Sequence, residues 1–285
     1  LEAAFYLGGR ISIPKGVYML EGTGSDSNGV NVQVSNNTHV NCDDGAIFIA
    51  DQIDGDMIDF ELNQANESLI TFSWSGGYFD QSQQKNSLVM PFTDIYPAQN
   101  PGTSNTADGL RVALSRNNGE SGCSVIEISN VTTYAGEHWL EGGGDSGIFA
   151  SGGKILILDK ITCIGARDLG IYASASEVID NGAICIIKNS QFLNCFHGCA
   201  GKRIMDSLTI EGCRAENCVR AFLSEAIGGL ASPKNIYIKN NTAIRCSVVA
   251  KVQLATAGEI SGNAALNSGA VLSDGITEAH PVGFE

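Results

Sequence analysis

Positive charge is scarce in this chain. It carries 17 Lys and Arg against 31 Asp and Glu, a formal net charge of −14 over 285 residues. Nucleic-acid binders displace counterions from phosphates with a basic surface, so no nucleic acid is expected as a partner. The net sign leaves an acidic polysaccharide open, because local Lys and Arg can outvote it. No apolar run approaches the roughly 20 residues of a membrane-spanning helix, so no membrane is expected either. Proline is sparse at six, and the 34 Gly follow no G-X-Y period, which removes a collagen-like triple helix. No stretch sustains a helical period with caps. Cofactor signatures are missing as well: there is no nucleophile elbow, P-loop or HExxH. Gly142-Gly143-Gly144 lacks the following helix that a phosphate cradle needs. No cofactor and no metal is therefore expected.

What is present is a packed chain, 43% hydrophobic and 17% charged. It opens on Leu1 without a basic start and an apolar core, and so reads as a piece of a longer chain. The nine cysteines are odd in number and form no CxxC pair, and no His stands where a zinc site would need one. They read as free thiols acting as small buried apolar side chains. The acidic run Asp51, Asp54, Asp56, Asp59 and Glu61 lacks the spacing of a calcium loop and reads as a solvated face.

From residue 125 onward the chain repeats itself. Short β-branched runs end on Ile128, Leu158, Ile187, Ile210, Ile238 and Ile260. Their two-residue alternation predicts strands. Eight places past these anchors stand Gly136, Ala166, Cys195, Cys218, Cys246 and Ser268, and one place earlier Ala135, Gly165, Asn194, Asn217, Arg245 and Asn267. Small residues beside polar turn residues, once per repeat, predict stacked coils about 4.8 Å apart with like residues in ladders. The expectation is an all-β, single-stranded parallel β-helix with coils of about 22–30 residues, one domain over 1–285. The first hundred residues fit less regularly. The stretch from Gln81 to Asp108, with Pro91, Pro97 and Pro101, reads as a long loop of the functional kind.

The run Gly8-Gly9-Arg10-Ile11-Ser12-Ile13-Pro14-Lys15-Gly16-Val17-Tyr18 resembles the opening motif of right-handed parallel β-helices of the pectate-lyase superfamily. With the ladders downstream, the chain is most similar to bacteriophage tailspikes and capsular depolymerases. That resemblance implies a homotrimer carried on the virion, in the phage tail, and acting outside the cell. It implies binding, and often hydrolysis or β-elimination, of a bacterial surface polysaccharide, capsule or lipopolysaccharide. A non-catalytic adhesin or structural spike of the same shape is one rival. A secreted pectinase-like enzyme is the other. Fragments of a polygalacturonase pattern occur at Asn105-Thr106-Ala107-Asp108-Gly109, Asp145-Ser146-Gly147, Phe196-His197-Gly198 and Lys202-Arg203-Ile204. Each departs from the pattern, by an inserted Ala, a single Asp, a missing Gly and a reversed order. The fragments read as coincidence.

Ten places past the anchors stand His138, Asp168, His197 and Arg220, which predicts a titratable column over four coils. Glycoside cleavage needs a proton donor and a carboxylate base or nucleophile. Glu137 and Asp168 are the expected pair, with Asp145 and Asp108 as further catalytic candidates. His138, Trp139, Tyr172, His197 and Arg220 are the expected substrate contacts, Trp139 and Tyr172 by stacking on a sugar face. Each has a plainer reading. Asp168 also suits an ion pair or turn cap, the two His a hydrogen-bonded ladder, Glu137 a surface charge, Trp139 the core or a trimer contact, and Asp108 a turn.

Overall fold

The computed structural model describes residues 5, 8–21, 29–51, 53, 55–62, 70–84, 107–114, 125–139, 143–174, 183–203, 206–225, 233–253 and 255–273. Three parallel sheets of nine strands wind as nine coils, each coil giving one strand to each sheet. The fold is a right-handed parallel β-helix. The inward ladder of the first sheet runs Ile11, Val40, Trp74, Ile128, Leu158, Ile187, Ile210, Ile238, Ile260 in strict register. Its last six members are the anchors read from the sequence. Alternation places every second side chain in one continuous apolar core running from Phe5 to Ala250. In the second and third coils that core is aromatic: Phe48, Phe60, Phe72, Trp74 and Phe79 pack around one another. The Trp74 Nε1–H donates to Gly76 O at 2.8 Å, so the core's one indole is satisfied.

Two turns per coil bend the chain through the left-handed region. Two places past the anchor, Asn130, Lys160, Asn189, Gly212, Asn240 and Gly262 have φ of 56, 55, 51, 64, 54 and 63°. The second turn repeats the device at Gly165, Asn194, Asn217, Arg245 and Asn267. Asn is favoured there because its short amide bonds locally and tolerates positive φ. The expected ladders follow. Asn217 Nδ2 donates to Asn194 Oδ1 at 2.9 Å, and Cys195, Cys218 and Cys246 stack inward, at most 2% exposed. Eight cysteines are free and buried, and Cys123 lies outside the described residues. Burial pushes the Cys185 and Cys213 thiols up to about 12, which leaves them protonated packing groups.

A second amide ladder lies inside the first turn. Asn241, 1% exposed, accepts from Cys213 N at 2.8 Å and donates to Ile210 O at 2.9 Å, while Asn263 Oδ1 accepts from Asn241 N at 2.9 Å. Asn241→Ala strands one buried N–H and one buried C=O, at about 1–3 kcal/mol each. We expect the urea midpoint to fall by an amount equivalent to about 2–4 kcal/mol; a loss under about 0.5 kcal/mol would show the ladder to be ornamental.

The third sheet differs from the other two. Its strands Leu169–Ser174, His197–Lys202 and Arg220–Glu225 are buried on both faces over most of their length. The inner face joins the core through Ile171, Cys199 and Phe222. The outer face carries its own apolar cluster of Leu169, Ala200 and Leu223, with Tyr172 packed against it. Along that outer face charged residues are stacked as well. The acidic run read as solvated is a correction of this kind. Asp56 and Asp59 are 3% and 4% exposed, and Asp59 holds Arg111 Nη1 at 2.6 Å. They are buried because Asp59 lies on Ile58–Leu62, a strand of this sheet, and Asp56 in the turn that enters it; Asp51 is exposed as expected.

Candidate functional site

Where the chain enters the third sheet, four consecutive coils place an aspartate: Asp56, Asp108, Asp145 and Asp168. Backbone bonds lock them into a column. Asp108 N donates to Asp56 Oδ1 at 2.9 Å, Asp145 N to Ala107 O at 2.7 Å, Ser146 N to Asp108 Oδ1 at 3.2 Å, and Asp168 N to Asp145 O at 2.9 Å. Asp108 is 1% exposed, while Asp145 and Asp168 are half-buried and keep a solvent-facing edge.

Two buried amides hold this turn rigid. Gln81 Nε2 donates to Gln84 Oε1 at 3.0 Å, to Ser146 O at 3.1 Å and, at 3.3 Å, to Ala107 O. Gln84 Nε2 donates to Gly55 O at 2.6 Å and to Asp108 O at 3.3 Å. The glycines beside Asp145 have a packing reason. A Cβ on Gly143 would lie 2.3 Å from Gln81 O, and one on Gly144 2.2 Å from Gln81 Nε2. The stretch read as one loop from Gln81 thus begins and ends as a clamp on the aspartates; residues 85–106 lie outside the described residues.

The column continues into cations. His197 follows in the next coil and pairs in register with Arg220. His197 Nδ1 lies 3.6 Å from Asp168 Oδ1. Glu225 gathers three cations: Lys251 Nζ at 3.0 Å, Lys202 Nζ at 3.6 Å and Arg220 Nη1 at 3.7 Å. The electrostatic consequence separates two neighbouring carboxyls. Burial, then the Asp168 charge, pushes Asp145 up to about 7 against the pull of Arg167 and Lys202. Burial would raise Asp168 too, but the His197 contact, Lys202 and Arg220 outweigh it and hold Asp168 below the usual carboxylate range. Asp108, buried and facing Asp56 and Asp145, is held well above that range. Burial and Arg220 lower His197 despite Asp168, favouring the neutral imidazole.

An aromatic cluster stands beside the carboxyls. The chain leaving Thr132–Tyr134 passes over the fifth coil and is pinned to the sixth. Asn194 Nδ2 donates to Glu137 O at 2.7 Å and Trp139 N to Asn194 O at 3.0 Å. This strap brings Trp139 to 4.9 Å from Phe196, whose ring lies 4.3 Å from His197; His138 is 5.3 Å from Trp139. Tyr172 sits farther out on the sheet. Phe149 stacks on its ring at 4.6 Å, and the Lys202 ammonium lies 4.4 Å from the ring centre. Those contacts, with the apolar cluster beneath, hold the ring in place.

The expected four-residue column is therefore re-registered. His197 aligns with Leu169, so Asp168 sits one place earlier, and the fourth coil contributes Asp145 rather than His138. The cause is the strap, which lengthens the chain between Tyr134 and Ile148 relative to that between their register partners Ile164 and Ile171. Glu137 is exposed on the strap, and its backbone carbonyl is what Asn194 ties to the site. Lys202, Glu225, Lys251, Phe196, Gln81 and Gln84 were missed by sequence reasoning. Asp108, Asp145, His197 and Lys202, each from a fragment set aside as coincidence, all fall in this one region. Among the described residues no group of three His, Cys, Asp or Glu is placed to hold a metal ion. No protein-family model, no curated protein and no solved structure matches the chain.

Proposed function

We propose that this β-helix binds a bacterial surface polysaccharide and cleaves it by hydrolysis, in the manner of a phage tailspike depolymerase. One observation carries the reading: Asp145 and Asp168 occupy adjacent coils with solvent-facing edges, in environments that drive their proton affinities apart. Neighbouring carboxyls separated in this way are suited to acid and base roles. Asp145, still protonated near neutrality, gives its proton to the glycosidic oxygen as the C–O bond breaks. Asp168, ionised, stabilises or attacks the anomeric carbon or takes a proton from the water that does. Water's hydroxyl ends on the anomeric carbon and its proton replenishes the acid. Trp139, half-buried and backed by the buried Phe196 ring, stands beside the pair as sugar-binding aromatics do. The homotrimer belongs to the same proposal. Met19, Ile49, Tyr134, Ile164, Leu193, Ile244 and Leu266 share one outward ladder of the second sheet with Asp80 and with Glu216, which is ion-paired to Arg214 and Arg245; its apolar segments are where copies can pack.

The test is release of new reducing ends from purified capsules and lipopolysaccharides. Activity requires Asp168 ionised and Asp145 protonated. We therefore expect kcat/KM to be flat through mildly acidic pH and to fall tenfold per pH unit above about 7. Binding without new ends on any glycan bound would move the protein to the adhesin class. A rate that rises through pH 7 would assign the proton-donor role away from Asp145.

A further inference from the structure

The cations of this chain are unevenly placed. Against a net charge of −14, Lys202, Arg220 and Lys251 converge on the single carboxylate Glu225. With Asp168 as the second carboxylate facing Lys202 and Arg220, the three cations exceed by one the carboxylates they answer. Lys251 already makes the 3.0 Å hydrogen bond, whereas Arg220 stays at 3.7 Å with its side chain 24% exposed. Beside it, His197 is 7% exposed, and its Nε2 is buried without a hydrogen-bond partner among the described residues. A buried polar atom left unpaired costs about 1–3 kcal/mol. Donor capacity and an unsatisfied imidazole thus stand together, on the side of Asp168 away from Asp145. In an acidic protein, a glycan with charges along its length is repelled within roughly a Debye length of 8–10 Å unless cations meet it locally. A guanidinium is the group best shaped to take a carboxylate or phosphate through two parallel bonds.

We propose that the glycan is anionic, and that Arg220, backed by Lys251 and Lys202, binds a carboxylate or phosphate on the unit lying two to three coils from the cleaved bond. Coil spacing puts that anion about 10–14 Å along the axis from Asp168. Trp139, backed by Phe196, then holds the intervening ring, with the charged unit lying beyond it. This rests on the polysaccharide reading above and specifies its substrate.

The experiment pairs each of several uronate-, sialate- and phosphate-bearing bacterial polysaccharides with its neutralised form, carboxyl-reduced or dephosphorylated, and includes neutral dextran. Binding is measured by calorimetry at 50 and 300 mM NaCl. We expect at least one anionic glycan to bind, its neutralised form to bind at least tenfold more weakly, and added salt to weaken binding. Arg220→Gln, checked for native circular dichroism, should raise KM or Kd about tenfold with kcat within threefold. The arm that loses binding, carboxyl-reduced or dephosphorylated, identifies the anion. Equal affinity for the neutralised glycan, or tight binding of a neutral one, overturns the anionic inference and leaves the polysaccharide reading standing. Binding to no glycan at all overturns both.

Discussion

Asp168→Asn and Asp145→Asn each lower kcat/KM on a cleaved polysaccharide by about 10²- to 10⁴-fold, the range for loss of a positioned acid or base, and they move stability in opposite directions. Asp145 carries a folded-state affinity raised from 3.8 to about 7. Between those values the folded chain holds a proton that the unfolded chain has released, so stability falls as pH rises through the window. Above pH 7 the whole penalty, at most about 4 kcal/mol, weighs on the native state. The residue's partial exposure reduces what is seen to about 1–2 kcal/mol. Asp145→Asn therefore melts higher than the parent at pH 8, with no such gain at pH 4. Asp168 has the opposite sign. Its lowered value contributes stability above the unfolded value, lost as pH falls through the folded one. Asp168→Asn leaves Lys202 and Arg220 short of a counter-charge and melts lower at neutral pH. Rate assays and thermal melts at the two pH values check the pattern. Two inactive variants that both melt lower would indicate damage to a structural network instead. Glu137→Gln, on the exposed strap, stays within about threefold of parent activity and is the contrast.

Glu225→Leu is the largest expected loss of stability. The side chain is 15% exposed and answers three cations, of which Lys202 is only 9% exposed. Burial disfavours the Lys202 ammonium, and Asp168 and Glu225 together more than offset this. Removing one partner of a buried ion pair costs about 3–5 kcal/mol, because the remaining charge stays buried. Taking the stranded charge away as well, in Glu225→Leu/Lys202→Met, should restore at least half of the lost urea midpoint. A double variant no better than the single would mean that Glu225 acts through packing. Glu225 itself is held below the usual range by Lys202 and Lys251, against burial. Its contribution therefore persists at neutral pH and fades only as the pH falls through its lowered value.

The inward ladder was readable from the sequence because a parallel stack repeats one backbone environment. Ile128, Leu158, Ile187, Ile210, Ile238 and Ile260 meet in register since each occupies the same place in its coil. The turn amides were readable for the same reason, positive φ selecting Asn and Gly. The second sheet was less so: strands such as Thr162–Ile164 are three residues long, too short for an alternation to show. The aspartate column was half legible. Asp168 and His197 follow the anchors, but Asp145 lies beyond the strap, and counting from Ile128 lands on His138 instead.

Local periodicity and turn chemistry determined the coil, its core and its bends, because those depend on neighbours along the chain and on one repeated spacing. Which charges share a dielectric was set by how the coils pack in three dimensions. Glu225 collecting Lys202, Arg220 and Lys251, Gln81 clamping the turn of Asp108, and the divergence of Asp145 from Asp168 all arise between coils. The separations along the chain there vary with each excursion, and Coulomb and desolvation energies depend on distance and burial, which spacing in sequence does not encode.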